Sequence, residues 1–305
     1  MNDSIIEATD FRKTYGDLVA VDNISFEVKR REIFGLLGPN GAGKTSTLET
    51  LEGLRPPDGG SLQVMGINPT RQPRKLRKLV GVQLQTSGLP DSIRVSEAME
   101  LFCAYHEVAP NYDVLKRLGL EEKMSRQYYM LSAGQKRRLA LALAIAHNPS
   151  VLFLDEPTAG LDVPSRMELH KLMGELKEAD TTIMLATHDM AEAEKLADRV
   201  AILLRGRIVA TGTPRELTAT GSGLTKVSVR SSGSSLSDPD IAFPAVTQHS
   251  VKEEYTIYYS TDPGPTVSAI IAHIKEQKDT LVDLRVERPS LEERFLELTG
   301  TRNAE

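Results

Sequence analysis

Apolar and polar residues alternate at the start of the chain. "IIEATDF" and "LVAVDNISFEV" keep one face apolar at every second position, which predicts a strand followed by a second strand or hairpin. The period then changes. "EIFGLLG" is a short apolar run ending in glycine, the pattern of a buried strand. It leads into "PNGAGKTSTLETLEGL", where Leu48, Leu51 and Leu54 recur at helical spacing until Pro56 and Pro57 stop the helix. "PRKLRKL" (73–79) reads as a basic surface helix, and residues 92–147 are mainly helical, most clearly in "SIRVSEAMELFCAYHE". A second buried strand follows in "SVLFLDEPTAGLD", then a helix in "SRMELHKLMGELKEA" and a third strand in "TTIMLATH". "DMAEAEKLA" predicts another helix, and "RVAILLRGRIVATG" a hairpin turning at Arg205 and Gly206. Strands alternating with helices predict a mainly parallel sheet covered on both faces, an α/β fold.

The pattern weakens after residue 217. "TATGSG" and "SSGSSLSDPD" are linker-like and surround weak strand signals in "TKVSVR" and "EYTIYYS". Helix ("TVSAIIAHIKEQ"), strand ("LVDLRVE") and helix ("SLEERFLELTG") follow. We therefore expect a main domain over 1–220 and a small α+β domain over 221–305.

Composition narrows the class. Of the 305 residues, 40% are hydrophobic and 26% charged, as for a packed globular protein rather than a disordered one. The net charge of −5 argues against a dedicated nucleic-acid binder. The basic segment with Arg71, Arg74, Lys75, Arg77 and Lys78 is read as a solvated face, with RNA contact as the sharper alternative. A single cysteine, Cys103, excludes an internal disulfide framework and fits a reducing compartment. No signal-peptide pattern and no apolar run of spanning length is present, so a soluble cytoplasmic chain is expected.

Three motifs carry chemistry. "GPNGAGKT" (38–45) matches G-x-x-x-x-G-K-[ST] between a predicted strand and helix. Its glycines allow a curl whose N–H groups wrap phosphate oxygens. Lys44 would reach the β- and γ-phosphates, and the Thr45 hydroxyl would coordinate Mg²⁺. "VLFLDEP" lifts Asp155 to the carboxyl end of a buried strand, where it can bind the metal, and places Glu156 beside it as a general base for water. "LSAGQKRRL" opens a helix with a serine cap and three cations in the first turn, where the helix dipole disfavours cations. That combination reads as a seat for an anion. His188, Gln85 and Tyr15 are weaker candidates. Each has an ordinary structural reading, and Gln83 is an alternative to Gln85.

In order, Tyr15, "GPNGAGKT", Gln85, "LSAGQ", "LFLDEP", "AGLD" and "THD" resemble the nucleotide-binding subunit of ATP-binding-cassette (ABC) transporters, over residues 4–217. The resemblance implies a P-loop cassette with an antiparallel β subdomain and a helical subdomain at about 86–148 carrying the signature. It implies two cassettes dimerising head to tail with ATP between them. Gly38, Pro39, Asn40, Gly41, Ala42, Gly43, Lys44, Thr45 and Ser46 would hold ATP, with Tyr15 against adenine. Ser132, Gly134 and Gln135 would reach the partner's γ-phosphate, and Asp162 would link the two sites. Gln85 would sense Mg²⁺ and the membrane subunit alongside Thr45 and Asp155, and His188 would position the attacking water with Glu156.

Three positions depart from the family pattern. Ala133 replaces a glycine of the signature, Arg31 stands where glycine is common before the P-loop strand, and "AGLD" replaces "SALD". The turn at Arg31 is therefore expected not to need a glycine. "LETLEGLRPPDGG" with the tail "PSLEERFLELTG" looks like ATPase subunits of daunorubicin-resistance-type drug exporters. This implies an ATPase that works with a separate membrane permease at the inner face of the cell membrane. An importer ATPase, a soluble ABC protein acting on ribosomes or DNA, and a silent ATP-binding module are the alternatives. One P-loop, one cysteine and the absence of a heptad tract count against the second, Glu156 and His188 against the third.

Overall fold

The computed structural model describes residues 3–84, 88–219, 224–236, 238 and 241–299. The chain divides into two compact units, Met1–Pro214 and Arg215–Glu305. In chain order the first unit contains β1 (Ser4–Tyr15), β2 (Leu18–Lys29), β3 (Ile33–Leu37), α1 (Lys44–Leu51), β4 (Gly59–Val64), α2 (Pro73–Arg77) and β5 (Val80–Gln83). Then come α3 (Val95–Tyr105), α4 (Tyr112–Arg117), α5 (Ala133–Ile145), β6 (Val151–Asp155), α6 (Val163–Glu178), β7 (Thr182–Thr187), α7 (Met190–Leu196), β8 (Arg199–Leu204) and β9 (Arg207–Gly212). The short helix α8 (Pro214–Ala219) falls at the division.

β5, β6, β7, β3 and β8 form a parallel sheet in that order, with β9 antiparallel at its edge. Every residue of β3, β6 and β7 is buried, which is why these strands read as continuous apolar runs. A three-stranded antiparallel sheet, ordered β2-β1-β4, lies beside it. Phe26 of β2 stacks on Phe34 of β3 at 5.7 Å, so one core serves both sheets. β4 escaped the sequence reading because "GGSLQV" alternates for too few residues to separate it from a turn. Its pairing with β1 makes it a strand.

Two local expectations are corrected. The helix after the P-loop ends at Leu51, so Leu54 lies outside it. Gly53 at φ 73° turns the chain, and the Leu54 N–H reaches back to the Glu49 carbonyl at 2.9 Å. The turn before β3 does adopt the conformation that suits glycine: Arg31 sits at φ 58°, its N–H donating to Thr182 Oγ1 at 3.0 Å. The arginine is held there by the neighbouring strand and by ion pairs to Glu178 at 3.5 Å and Asp180 at 3.9 Å.

Ala133 meets no such constraint. It is the first residue of α5, in right-handed helical backbone, where alanine is the better helix former by about 1 kcal/mol over glycine.

The second unit contains β10 (Thr225–Ser231), β11 (Val246–Lys252), β12 (Tyr255–Ser260), α9 (Pro263–Glu276), β13 (Leu281–Glu287) and α10 (Leu291–Thr299). Its antiparallel sheet runs β11-β12-β10-β13. Val227, Val229, Tyr258, Ile270 and Ile274 form its small core. β11, polar and nearly all exposed, carries no periodic signal and was not expected as a strand.

Candidate functional site

Adjacent parallel strands β6, β7 and β3 end on the same edge, and each delivers one motif there. β3 runs into the P-loop. Gly43, the residue before α1, has φ 107°, and a Cβ on it would lie 2.4 Å from the Ala20 carbonyl oxygen. Only glycine lets the loop pass so close to β2. Lys44 is 6% exposed, and its ammonium donates to the Gly38 carbonyl at 2.7 Å and the Pro39 carbonyl at 3.2 Å. Burial pulls its pKa below the usual lysine range, while the carboxylates of Glu156 and Asp155 pull it back up.

β6 supplies the acids. The Thr45 hydroxyl donates to Asp155 Oδ2 at 2.8 Å, so the P-loop helix and β6 are tied at the residues expected to hold metal. Burial raises the Asp155 pKa, and the Thr45 hydrogen bond opposes that rise. Asp155 Oδ1 is buried with no hydrogen-bond partner among the described residues, and the equally buried Glu156 Oε1 has the Lys44 ammonium 3.7 Å away but no hydrogen bond there. Such oxygens are costly unless a cation or donor completes them. Mg²⁺ fits this donor set, because it takes one or two protein oxygens and fills its remaining positions with phosphate and water. Among the described residues there is no group of three or more His, Cys, Asp or Glu placed to hold a metal without such help.

Glu156 has left-handed backbone at φ 50°. Its N–H donates to the Ala186 carbonyl at 2.9 Å, and its Oε1 lies 3.7 Å from Lys44 Nζ. Oε2 is 2.9 Å from Nδ1 of His188, which follows β7, and the Thr187 hydroxyl approaches the same oxygen at 3.5 Å. His188 and Glu156 are therefore partners across the strand ends.

The P-loop, Asp155 and Glu156 line a cleft of about 610 Å³ whose rim carries Tyr15, Leu18, Val19 and Arg205. Lys13 Nζ and Arg55 Cζ lie 5.3 Å and 5.4 Å from the Tyr15 ring centroid, two neighbours the sequence reading missed. The Tyr15 aromatic face thus already meets cations, which hold its ring at the rim.

Ser132, Gly134, Gln135 and Asp162 do not line this cleft. Ser132 and Gln135 are joined in a capping box. Gln135 N donates to Ser132 Oγ at 3.3 Å, and Ser132 N donates to Gln135 Oε1 at 2.9 Å. Asp162 caps α6, accepting from Ser165 N at 2.8 Å, and hydrogen bonds from Ser165 hold its carboxyl below the usual range. Gln85 lies outside the described residues. Gln83, the alternative, is buried at the end of β5, with both amide atoms unpartnered among the described residues.

The three cations expected around an anion have other partners. Lys136 Nζ sits 4.7 Å from the Tyr128 ring centroid, Arg138 donates to the Leu118 carbonyl at 3.0 Å, and Arg137 donates to the Glu156 carbonyl. Glu52 was also missed, although its sequence signal existed: it falls four residues after Leu48, on the apolar stripe of α1.

A P-loop at the end of one parallel strand, a consecutive carboxylate pair at the end of β6 in the same sheet and a histidine beside the second carboxylate define a P-loop nucleoside triphosphatase. The ABC transporter family profile matches residues 21–159. The chain is 36% identical over 97% of its length to a Nod factor export ATP-binding protein I of Ralstonia nicotianae, covering 94% of that protein. It is 33% identical over 98% of its length to a daunorubicin resistance ATP-binding protein of Streptomyces coeruleorubidus, covering 97% of it. A solved ATP-binding subunit of an ABC transporter superposes with a TM-score of 0.67 at 27% identity, over 70% of this chain and 92% of that one. The chain belongs to the ABC transporter ATP-binding proteins. It binds ATP and is an ATPase, and its full-length relatives are of the exporter type.

Proposed function

We propose that the chain powers export of a hydrophobic or drug-like compound through a separate membrane permease, and that it works as a head-to-tail pair of cassettes. The observation that carries the proposal is a separation within one chain. The P-loop, Asp155 and Glu156 share one cleft with His188 beside Glu156, while the signature residues Ser132 and Gly134 lie outside it. A second cassette would bring its own Ser132 and Gly134 onto the nucleotide. The exporter assignment rests on relatives named for Nod factor export and daunorubicin resistance. Among the described residues no helix is long and apolar enough to cross a membrane, and the permease is proposed as the partner that places the cassette at the inner membrane face.

In this reading Lys44 and the loop N–H groups hold the β- and γ-phosphates, and Tyr15 packs against the base. Thr45 and Asp155 hold Mg²⁺, which supplies charge neutralisation on the phosphates when bound. Glu156 accepts a proton from the attacking water, and His188 fixes its carboxylate through the 2.9 Å contact. Glu156→Gln keeps the shape and removes the base. It is expected to assemble ATP-dependent dimers on size-exclusion chromatography while phosphate release falls by about a hundredfold or more. Unimpaired release overturns the assignment of Glu156.

A further inference from the structure

We propose that Arg137 is a positioning residue for hydrolysis. It holds the backbone of Glu156 in its own chain and couples that base to the helix that seats the other cassette's nucleotide. The proposal rests on the shared-site reading above and adds a cis connection to it.

Four observations converge. The Arg137 guanidinium donates to the Glu156 carbonyl oxygen. The Glu156 N–H is held from the other side by the Ala186 carbonyl at 2.9 Å, so both ends of this residue are anchored, one to α5 and one to β7. Glu156 occupies φ 50°, a conformation a non-glycine residue keeps only where its surroundings impose it. The start of α5 also runs along the segment that follows: a Cβ on Gly134 would lie 3.8 Å from the Gly160 carbonyl and from Leu161. The cation five residues past the signature serine therefore grips the residue that bears the base. Its neighbours Lys136 and Arg138 face Tyr128 and Leu118 instead.

The consequence is directional. Ser132 and Gly134 act on the partner's nucleotide, and Arg137, on the same rigid helix, acts on this chain's Glu156. A shift of α5 on engaging the partner's γ-phosphate would move the Glu156 carbonyl and re-aim its carboxylate. The base in one site would thereby respond to the nucleotide in the other.

The test uses the full chain. Arg137→Gln is expected to lower kcat between about tenfold and a hundredfold, the range that follows from misplacing a catalytic group. Half-saturating ATP and affinity for a fluorescent ATP analogue should change little, and Arg137→Lys should recover part of kcat. An unchanged kcat overturns the proposal. So does a loss of ATP affinity matching the loss of kcat together with a lowered thermal midpoint, which would make Arg137 merely structural.

Heterodimers separate cis from trans. With Glu156→Gln silencing one site, Arg137→Gln in the silenced chain should leave the remaining activity unchanged, whereas Arg137→Gln in the active chain should lower it. The reverse pattern overturns the cis assignment. Failure of ATP to form any dimer sinks the shared-site reading and the cross-site coupling with it. The kcat of Arg137→Gln then still reports whether the clamp on Glu156 exists.

Discussion

Glu52, at the end of α1, is 2% exposed, and neither of its carboxylate oxygens has a hydrogen-bond partner among the described residues. Burial, reinforced by the negative charges of Asp155 and Glu49, pushes its pKa from 4.5 up to about 8. Between those values the folded chain binds a proton that the unfolded chain has released, so stability falls as pH rises through this window. His147 acts in the opposite sense, because burial lowers it from 6.5 to about 4 and its contribution to stability grows as pH rises across that interval. Above pH 6.5 only Glu52 of the two still titrates. Going from pH 6.5 to 8.5 should cost the protein about 2 kcal/mol, read from urea unfolding midpoints. In Glu52→Gln that slope should flatten. An equal slope in both proteins would show that another group is responsible. The acid was visible in the sequence on the apolar stripe of α1. Its lack of a partner among the described residues was not, because this depends on the fold, which sets Glu52 in a cavity lined by residues of β5 and α5.

Elements differ in how much strain they absorb locally. Two of the positive-φ glycines of the P-loop, Gly41 and Gly43, have different surroundings. Gly43 at φ 107° lies against the Ala20 carbonyl, whereas Gly41 at φ 80° would place a Cβ in open space. Gly41→Ala should therefore carry only the backbone cost, about 1 kcal/mol. Gly43→Ala adds a contact that β2 cannot yield to, and should cost about 3 kcal/mol or more and abolish ATP binding. Denaturant unfolding and an ATP titration of both variants check the order, and equal effects would refute it. The motif specified which residues form the loop. The difference between its glycines comes from β2, which is remote in sequence and pairs with β1 in a different sheet.

At the scale of the whole molecule the prediction concerns chain number. Lys44→Ala disables the P-loop, and Ser132→Arg blocks the signature. In a mixed dimer one site would keep both an intact Lys44 and an intact Ser132. Mixing the two inactive variants should recover about a quarter of wild-type turnover from random two-fold pairing. Turnover no higher than that of either variant alone counts against a shared site.

Strands β3, β6 and β7 and the motifs at their ends were legible in the chain, because a strand buried on both faces must be apolar throughout and a phosphate loop must contain glycine and lysine at set positions. The hairpin at Arg205–Gly206 and the helices α5, α6 and α7 were legible from periodicity for the same local reason. What the sequence could not supply is which distant groups meet. Arg137 and Glu156 are 19 residues apart, and Glu156 and His188 are 32 apart. The sequence marked Arg137 as one of three cations awaiting an anion, and the fold gave it a backbone carbonyl. Periodicity and motif spacing are set by neighbours along the chain, so the sequence by itself determined the strongly patterned elements and the class of chemistry, but not β4 or β11. Partnerships between side chains depend on how strands and helices stack. The tertiary structure alone therefore decided that Arg137 meets the Glu156 carbonyl and that Glu52 has no hydrogen-bond partner among the described residues.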